Sequence, residues 1–525
     1  MLRIFALILV IAAPLGANAF APDTYAERSV LADGVWRAVE IESSGAVLLT
    51  TANLRRWGFK DPGRVRVYGA GAGRISDVLS EDNYVDDLPE VQCQQTQNGV
   101  LFYAVGPEEW SRSATGRFTH RLNPFATHAT YFITERDKER RDIPMSGMAV
   151  AGADAATTFT ERIYHELDEV SPGETGHMLL GEDLRYTSPR KLTFTLPGIA
   201  AGDNNVWIQA RAVANISSTA VLSVTADDKP LAEARMLATP TTAHGILVNL
   251  SAEMEQSGER LTIGIELRAD GIVSRANLDA IDLNYTRRLE MPAEGVLEFS
   301  LDRSEGILRC AAAVTKLWDI TDPLNITEVR TEAYETGVRW HSSFGPHRRY
   351  MAWTERGEFM TPDKSRKIAN QNLHYSEAEA PDMVIFAPRE WLSQAERIAT
   401  LHRKDATDPL SVRVVDVEQV YNEFSSGTPD VGALRRMLKM VYDRGNAGGH
   451  PLRYALLVGR ATHDNRGLTR SMAALGEKWL PTWQTDESLR ENDSYTSDDI
   501  LAMLGDGSGE RMGADELSIG VGRIP

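Results

Sequence analysis

A thiol nucleophile needs an imidazole beside it. This chain offers two cysteines and eleven histidines. Cys93 lies in Glu90-Val91-Gln92-Cys93-Gln94, a polar stretch after a turn, and Cys310 in Ile307-Leu308-Arg309-Cys310-Ala311, which reads as a strand. Neither has the local neighbours of a catalytic cysteine, and both are expected to be buried structural thiols. Two cysteines also exclude a disulfide framework. The histidine best placed for chemistry is His463, in Ala461-Thr462-His463-Asp464-Asn465. It follows an apolar run that reads as a parallel strand, at the edge where α/β folds place ligands. With no cysteine to pair with it, it reads as a loop histidine. His120, His128, His341, His347 and His374 are scattered and show no metal-ligand spacing. Asp493, Asp498, Asp499 and Asp506 stand among Gly505, Gly507 and Gly509. Hard oxygen ligands on such a backbone suit calcium, and Asp498, Asp499 and Asp506 are the candidate ligands. The alternatives are a solvated acidic turn, or Asp498 and Asp499 capping a helix from Ile500 to Leu504. The sequence holds no nucleophile elbow and no His-Glu-x-x-His zinc motif. Gly69-Ala70-Gly71-Ala72-Gly73 lacks the helix that a phosphate loop opens and reads as a flexible loop.

The elements that would position these groups are multidomain. The chain has 525 residues, too many for one ordinary core. Its 42% hydrophobic and 25% charged residues are those of a folded soluble body. A net charge of −18 argues against a nucleic-acid partner. Residues 1–19 have the layout of a secretory signal peptide: Arg3, an apolar run from Ile4 to Pro14, and Ala17-Asn18-Ala19. The protein is therefore expected to be exported. Residues 22–150 read as a β-rich domain, with strands at Ala46–Thr50 and Arg64–Tyr68 and a helical turn at Thr51–Trp57. Alternating segments such as Lys191–Leu196, Val206–Arg211, Ala220–Val224 and Leu261–Ile265 predict a β-sandwich over 151–300. Trp207 is expected in its core. Residues 301–375 are a further β segment. It holds an aromatic turn at Trp318–Pro323 and a polar connector from Met360 to His374. From 381 onward the pattern becomes strand–helix–strand–helix–strand. Met383–Ala387, Leu410–Val415 and Leu452–Gly459 are the strands, and the helices are Glu390–Arg403 and one capped by Asp430 with Leu434, Met437, Leu438 and Val441 inward. That order means an α/β domain with a parallel sheet. A last strand, Leu517–Ile524, closes the sequence with no helix behind it, so 381–525 is expected to be the incomplete first part of such a domain, and its open sheet to favour aggregation.

A set of motifs stands in one order along the chain. It begins with Trp57-Gly58-Phe59, Val65-Arg66-Val67-Tyr68-Gly69 and Asp86-Asp87-Leu88-Pro89-Glu90. Gly106-Pro107-Glu108-Glu109-Trp110 and Trp318-Asp319-Ile320-Thr321-Asp322-Pro323 follow. Leu456-Leu457-Val458-Gly459, Leu480-Pro481-Thr482-Trp483, Tyr495-Thr496-Ser497-Asp498-Asp499 and Ile519-Gly520-Val521-Gly522-Arg523-Ile524-Pro525 complete it. Jointly they resemble the gingipain-type cysteine peptidases, and most nearly the branch that sorts cargo in type IX secretion. The resemblance implies a caspase-like α/β domain and a His/Cys dyad. The family's histidine sits in Thr-Gly-His-Gly, and its cysteine follows a later strand. Both are expected beyond Pro525, so no residue of this chain takes a catalytic role. It further implies a structural calcium ion but no required cofactor. The implied substrates are exported proteins whose C-terminal sorting domains are cut. The implied partners are secretion-system components, with a place in the periplasm, outer membrane or cell surface. Arg460 departs from the pattern, because relatives carry Gly-Asp where this chain has Gly459-Arg460. A surface or assembly protein that keeps the scaffold without its dyad is the competing expectation.

Overall fold

The computed structural model describes residues 20, 24–137, 140–146, 155–184, 189–269, 273–310, 316–342, 345–375, 380–475 and 479–525. The proposed signal peptide lies outside these residues. Among them, no helix is long and apolar enough to cross a membrane.

The N-terminal module pairs Trp36–Ile41 with Ala129–Glu135, which pairs on with Val65–Tyr68. A second, three-stranded sheet holds Gly45–Thr50, Gly99–Ala104 and Cys93–Gln95. Val39, Val47, Leu49, Phe102, Tyr131 and Ile133 fill the space between them. The helix Thr51–Trp57 forms as expected: the Thr50 hydroxyl accepts from the Asn53 N–H, and Gly58 ends it at φ 102°. Two expectations are corrected. The polar stretch from Met360 to His374 is no free connector, because Arg366–Ile368 adds an edge strand against Trp36–Ala38. The glycine-rich loop is packed rather than flexible: at Gly71 (φ 84°) a Cβ would lie 2.7 Å from both Cβ and O of Val105.

The middle module is the expected sandwich. One sheet orders Thr158–Glu166, Arg275–Arg288, Asn205–Asn215 and Ile246–Glu255; the other orders Arg190–Thr195, Arg260–Ala269, Thr219–Ala226 and Lys229–Leu237. Inward residues alternate along each strand, with Ile208, Leu222, Ile263, Leu278 and Leu283 in the core. Trp207 is corrected: its neighbours Val206 and Ile208 take the core positions, and its ring lies under the Arg117 guanidinium at 5.9 Å. The third module is an aromatic-rich pair of sheets around Phe299, Trp340 and Tyr350. Trp318 lies in a strand, Lys316–Asp319, and the turn begins only where the Asp319 carboxylate accepts from the Thr321 N–H.

The last module is a four-stranded, all-parallel sheet. Its elements are β1 (Met383–Ala387), α1 (Leu392–Arg403), β2 (Val412–Asp416), α2 (Val417–Phe424), α3 (Val431–Gly448), β3 (Tyr454–Val458) and β4 (Gly520–Ile524). The strand order is β2-β1-β3-β4. β1 is buried along its whole length because helices cover both faces. Asp430 caps α3 by accepting from the Gly432 N–H, and Leu434, Met437, Leu438 and Val441 face inward. The joint with the N-terminal module is a shared core: Tyr25 and Phe125 pack in the same cluster as Val384, Phe386 and Leu438.

Candidate active-site cleft

In a parallel sheet the loops leaving the carboxyl ends of the strands face one edge, and ligands bind where the strand order reverses. Here that point lies beside β1, from which the chain runs first outward to β2 and then back across to β3. A cleft of about 400 Å³ opens there. Its floor comes from the three strand ends: Pro388 and Arg389 after β1, Asp416 to Glu418 at β2, and Asn465, Trp479 and Pro481 after β3. Asp416 is the last residue of β2 and the N-cap of α2, accepting from the Glu418 N–H at 3.0 Å. Its other oxygen takes the Arg389 Nε at 2.9 Å, which ties the first two loops together. The far wall is the N-terminal module's segment Phe125–His128. Asn123 fixes this segment: its amide donates to the Ala72 carbonyl and its oxygen accepts from the Phe125 N–H, both at 2.9 Å.

Arg466 lines the same cleft and pairs at 2.6 Å with Asp168 of the sandwich; both side chains are buried. Burial pushes Asp168 up to about 6 against the pull of Arg466. Asp464 is the organiser of this loop, accepting from the N–H groups of Gly467 and Thr469 at 2.8 and 2.6 Å. It therefore does not orient His463, which lines a second cavity of about 250 Å³ with Glu174, Arg460 and Trp479.

Neither thiol is equipped as a nucleophile. Cys93 is buried in a strand, its Sγ 3.3 Å from the Val91 carbonyl, and burial pushes the thiol up to about 12. Cys310 is buried after the strand Glu305–Arg309, and both cysteines are free. The candidate calcium ligands are not gathered into one site. Asp498 holds Arg523 through two bonds of 2.7 Å and accepts from the Thr482 hydroxyl at 3.0 Å. Asp506 takes the buried Lys439 ammonium at 2.6 Å. Asp499 is exposed at the start of a short 3-10 turn, Asp499–Ala502, and Asp498 makes no side-chain cap there. The alternative expectation of a capped helix is thus corrected: Arg523 outcompetes the turn for the Asp498 carboxylate.

Two histidines that looked unremarkable in sequence are the most constrained. His120, scattered from any partner in sequence, is paired in the fold: its ring nitrogens bond Asp282 and Glu166, each at 2.6 Å, and its ring stacks on Tyr164 at 4.0 Å. Its inward place in the strand Phe118–Leu122, one step from inward Phe118, was the available signal. His374 is fully buried between Glu423 of α2 (2.7 Å) and Asp86 (3.0 Å), and stacks on Phe424. Burial alone would lower its pKa, but the two carboxylates outweigh that and push it up to about 9. Among the described residues, Asp87, His374 and Glu423 are the group whose ligand atoms, all within 4.8 Å, could hold a metal ion. Both imidazole nitrogens are already engaged by carboxylates, so a metal would have to displace one of them.

Residues 376–525 match the model of peptidase family C25, a family of cysteine peptidases. The solved structure of dimeric latent PorU from Porphyromonas gingivalis superposes with a TM-score of 0.85 at 26% identity, covering 96% of this chain and 49% of that one. The chain thus spans about half the length of that relative. The EclA C-terminal domain, a sugar-binding protein, gives a TM-score of 0.15 at 12% identity, over 26% of this chain and 82% of its own. A carbohydrate-binding module from Cellvibrio mixtus lichenase 5A, in complex with cellotriose, gives 0.13 at 12%, over 20% and 98%. Scores that low carry no argument. No curated protein matches the chain. Residues 376–525 are therefore similar to a peptidase family C25 domain, in a chain whose fold is similar to that of PorU.

Proposed function

We propose that this chain is the N-terminal part of an exported gingipain-like cysteine peptidase that removes C-terminal sorting domains from secreted proteins at the outer membrane or cell surface. The observation that carries this reading is the joint match of residues 376–525 to the C25 family and of 96% of the chain to the PorU fold. In this reading the described residues build one wall of the substrate cleft, and polypeptide beyond Pro525 supplies the thiol and imidazole. The buried, proton-holding Cys93 and the buried Cys310 agree with it, since neither can present a thiolate to a substrate. The partners in this reading are cargo proteins and components of the secretion apparatus.

The test compares the full-length protein with the 525-residue chain on a substrate that carries a C-terminal sorting domain. Full-length protein is expected to cut it, to be blocked by a thiol alkylator, and to retain cutting when Cys93 and Cys310 are both replaced by Ala. The 525-residue chain alone is expected to cut nothing. Alkylator-sensitive hydrolysis by the short chain overturns the placement of the dyad. A full-length protein that binds cargo and never cuts it supports the assembly role instead.

A further inference from the structure

Where the first three modules meet, away from the parallel sheet, a cavity of about 460 Å³ opens. The N-terminal module lines it with Gly73 and Trp110, the sandwich with Phe159 and Arg162, and the third module with Phe299 and Arg349. None of its lining residues belongs to 376–525.

The wall built by the sandwich and the third module is short of negative charge. Glu298 serves two guanidiniums. Arg349 Nη2 donates to it at 2.8 Å and to the Tyr103 hydroxyl at 2.9 Å, and that hydroxyl donates to the other Glu298 oxygen at 2.9 Å. Arg162 reaches the same carboxylate only at 3.5 Å, and its remaining donors have no partner among the described residues. Its guanidinium lies instead over the rings of Trp110 and Phe118, at 5.1 and 5.2 Å. Glu161 is taken by Arg287 at 2.6 Å, so the wall keeps one positive charge in excess. Both guanidiniums can be reached, since the Arg162 and Arg349 side chains are 15% and 33% exposed. Arg349 Nε is enclosed and takes no part. On the N-terminal side, Arg74 is taken by Asp77 and Asp486, and Glu109 is exposed. Glu108 accepts from the Ser44 N–H at 2.6 Å and keeps its negative charge.

A carboxylate matches these groups. Its two oxygens accept from a planar guanidinium fork, and its single charge cancels the excess. A phosphate dianion would overshoot that balance and be repelled by Glu108. The rest of the cavity offers apolar surface: the Trp110 ring, and Phe159 and Phe299 with ring centres 5.7 Å apart. Cavities that hold small organic molecules combine such a lining with a few fixed polar groups. We infer that this cavity binds an organic monocarboxylate, with the carboxylate held by Arg162 and Arg349 and the apolar body against Trp110, Phe159 and Phe299. The site lies outside the C25-like domain and does not depend on the peptidase reading. A free small acid and the C-terminal carboxylate of a peptide share this chemistry.

The test is titration calorimetry on the 525-residue chain with 3-phenylpropionate, 3-phenylpropionamide, acetate, phenyl phosphate and acetyl-Ala-Ala-Phe with a free carboxylate. Phenylpropionate is expected to bind about tenfold or more tightly than its amide, acetate or phenyl phosphate. Arg162→Gln is expected to weaken phenylpropionate about tenfold and to leave the amide unchanged. Gly73→Trp fills the cavity from an exposed position where a Cβ meets nothing within 4 Å. It is expected to weaken phenylpropionate about tenfold with the melting temperature unchanged, which keeps the test open if Arg162→Gln fails to fold. Tighter binding of the tripeptide acid than of phenylpropionate supports the site and assigns it to peptide C-termini; the reverse order supports it as a site for free acids. Equal affinity for acid and amide, tighter binding of phenyl phosphate, unchanged binding in Gly73→Trp, or no binding of any acid overturns the inference.

Discussion

His374→Gln is the perturbation for which the structure sets both a sign and a size. The imidazole is closed off from solvent, and each nitrogen meets a carboxylate, Glu423 on α2 and Asp86 in the N-terminal module. Asp87 lies in the same cluster, bonded to the Ser29 hydroxyl and the Val30 N–H. Arg444 donates to the carbonyls of His374 and Ala26 beside it. Burial lowers the imidazole's affinity for a proton, yet the two carboxylates raise its pKa to about 9 from 6.5. A folded pKa above the unfolded one means the folded state binds the extra proton. This contribution is complete below pH 6.5 and is lost as pH rises through 9. The gap corresponds to about 3 kcal/mol. Glutamine keeps hydrogen-bonding capacity but carries no charge, so it leaves the buried Glu423 and the partly buried Asp86 unbalanced, a loss of similar size. The assay is hydrogen exchange of the segment around Glu423, with thermal melts, from pH 6 to 10. Local measurement is needed because a chain of several modules has no single unfolding free energy. Wild type should lose protection between pH 7 and 9.5, and His374→Gln should start lower and stay flat across that window. Parallel pH curves for the two proteins would refute the reasoning. A large zinc-dependent rise in the wild-type melting temperature, absent in the variant, would replace the imidazolium by a metal ion.

Other outcomes follow from the same geometry. Asp498→Asn should loosen β4 by about 2 kcal/mol, since Arg523 loses its bidentate carboxylate; faster exchange confined to Gly520–Ile524 and its neighbours is the check. Because Asp498 and Asp506 are held by Arg523 and Lys439, calcium at about 1 mM should leave the melting temperature unchanged; a rise of several degrees would gather these carboxylates into a site after all. A thiol reagent should find no reactive cysteine in the native chain and two after denaturation, given two free, buried thiols; rapid native labelling of Cys93 would contradict its raised pKa.

Local chemistry made much of the fold legible. A short apolar run followed by helix–strand alternation fits a strand covered on both faces, so Met383–Ala387 was readable as part of a parallel sheet. A capping aspartate before a 3.6-residue apolar period announced Val431–Gly448. Strict alternation produced the sandwich strands to within a few residues. These signals are all written within one element. The misplacements have the opposite character. Trp207 sits in an alternating strand pattern that suits core packing, but the phase of that strand gives the core to its neighbours Val206 and Ile208 and leaves its ring for Arg117. His374 was read as part of a polar connector because its partners lie 49 and 288 residues away. Arg466 and Asp168 come from different modules, and nothing in either neighbourhood names the other. Periodicity, caps and ordered motifs, which act over a few residues, determined the elements and the family resemblance from sequence alone. Which charges became buried partners, and that a loop of the first module would wall the cleft of the last, were decided only by tertiary packing, because burial strengthens an ion pair between residues that the chain keeps far apart.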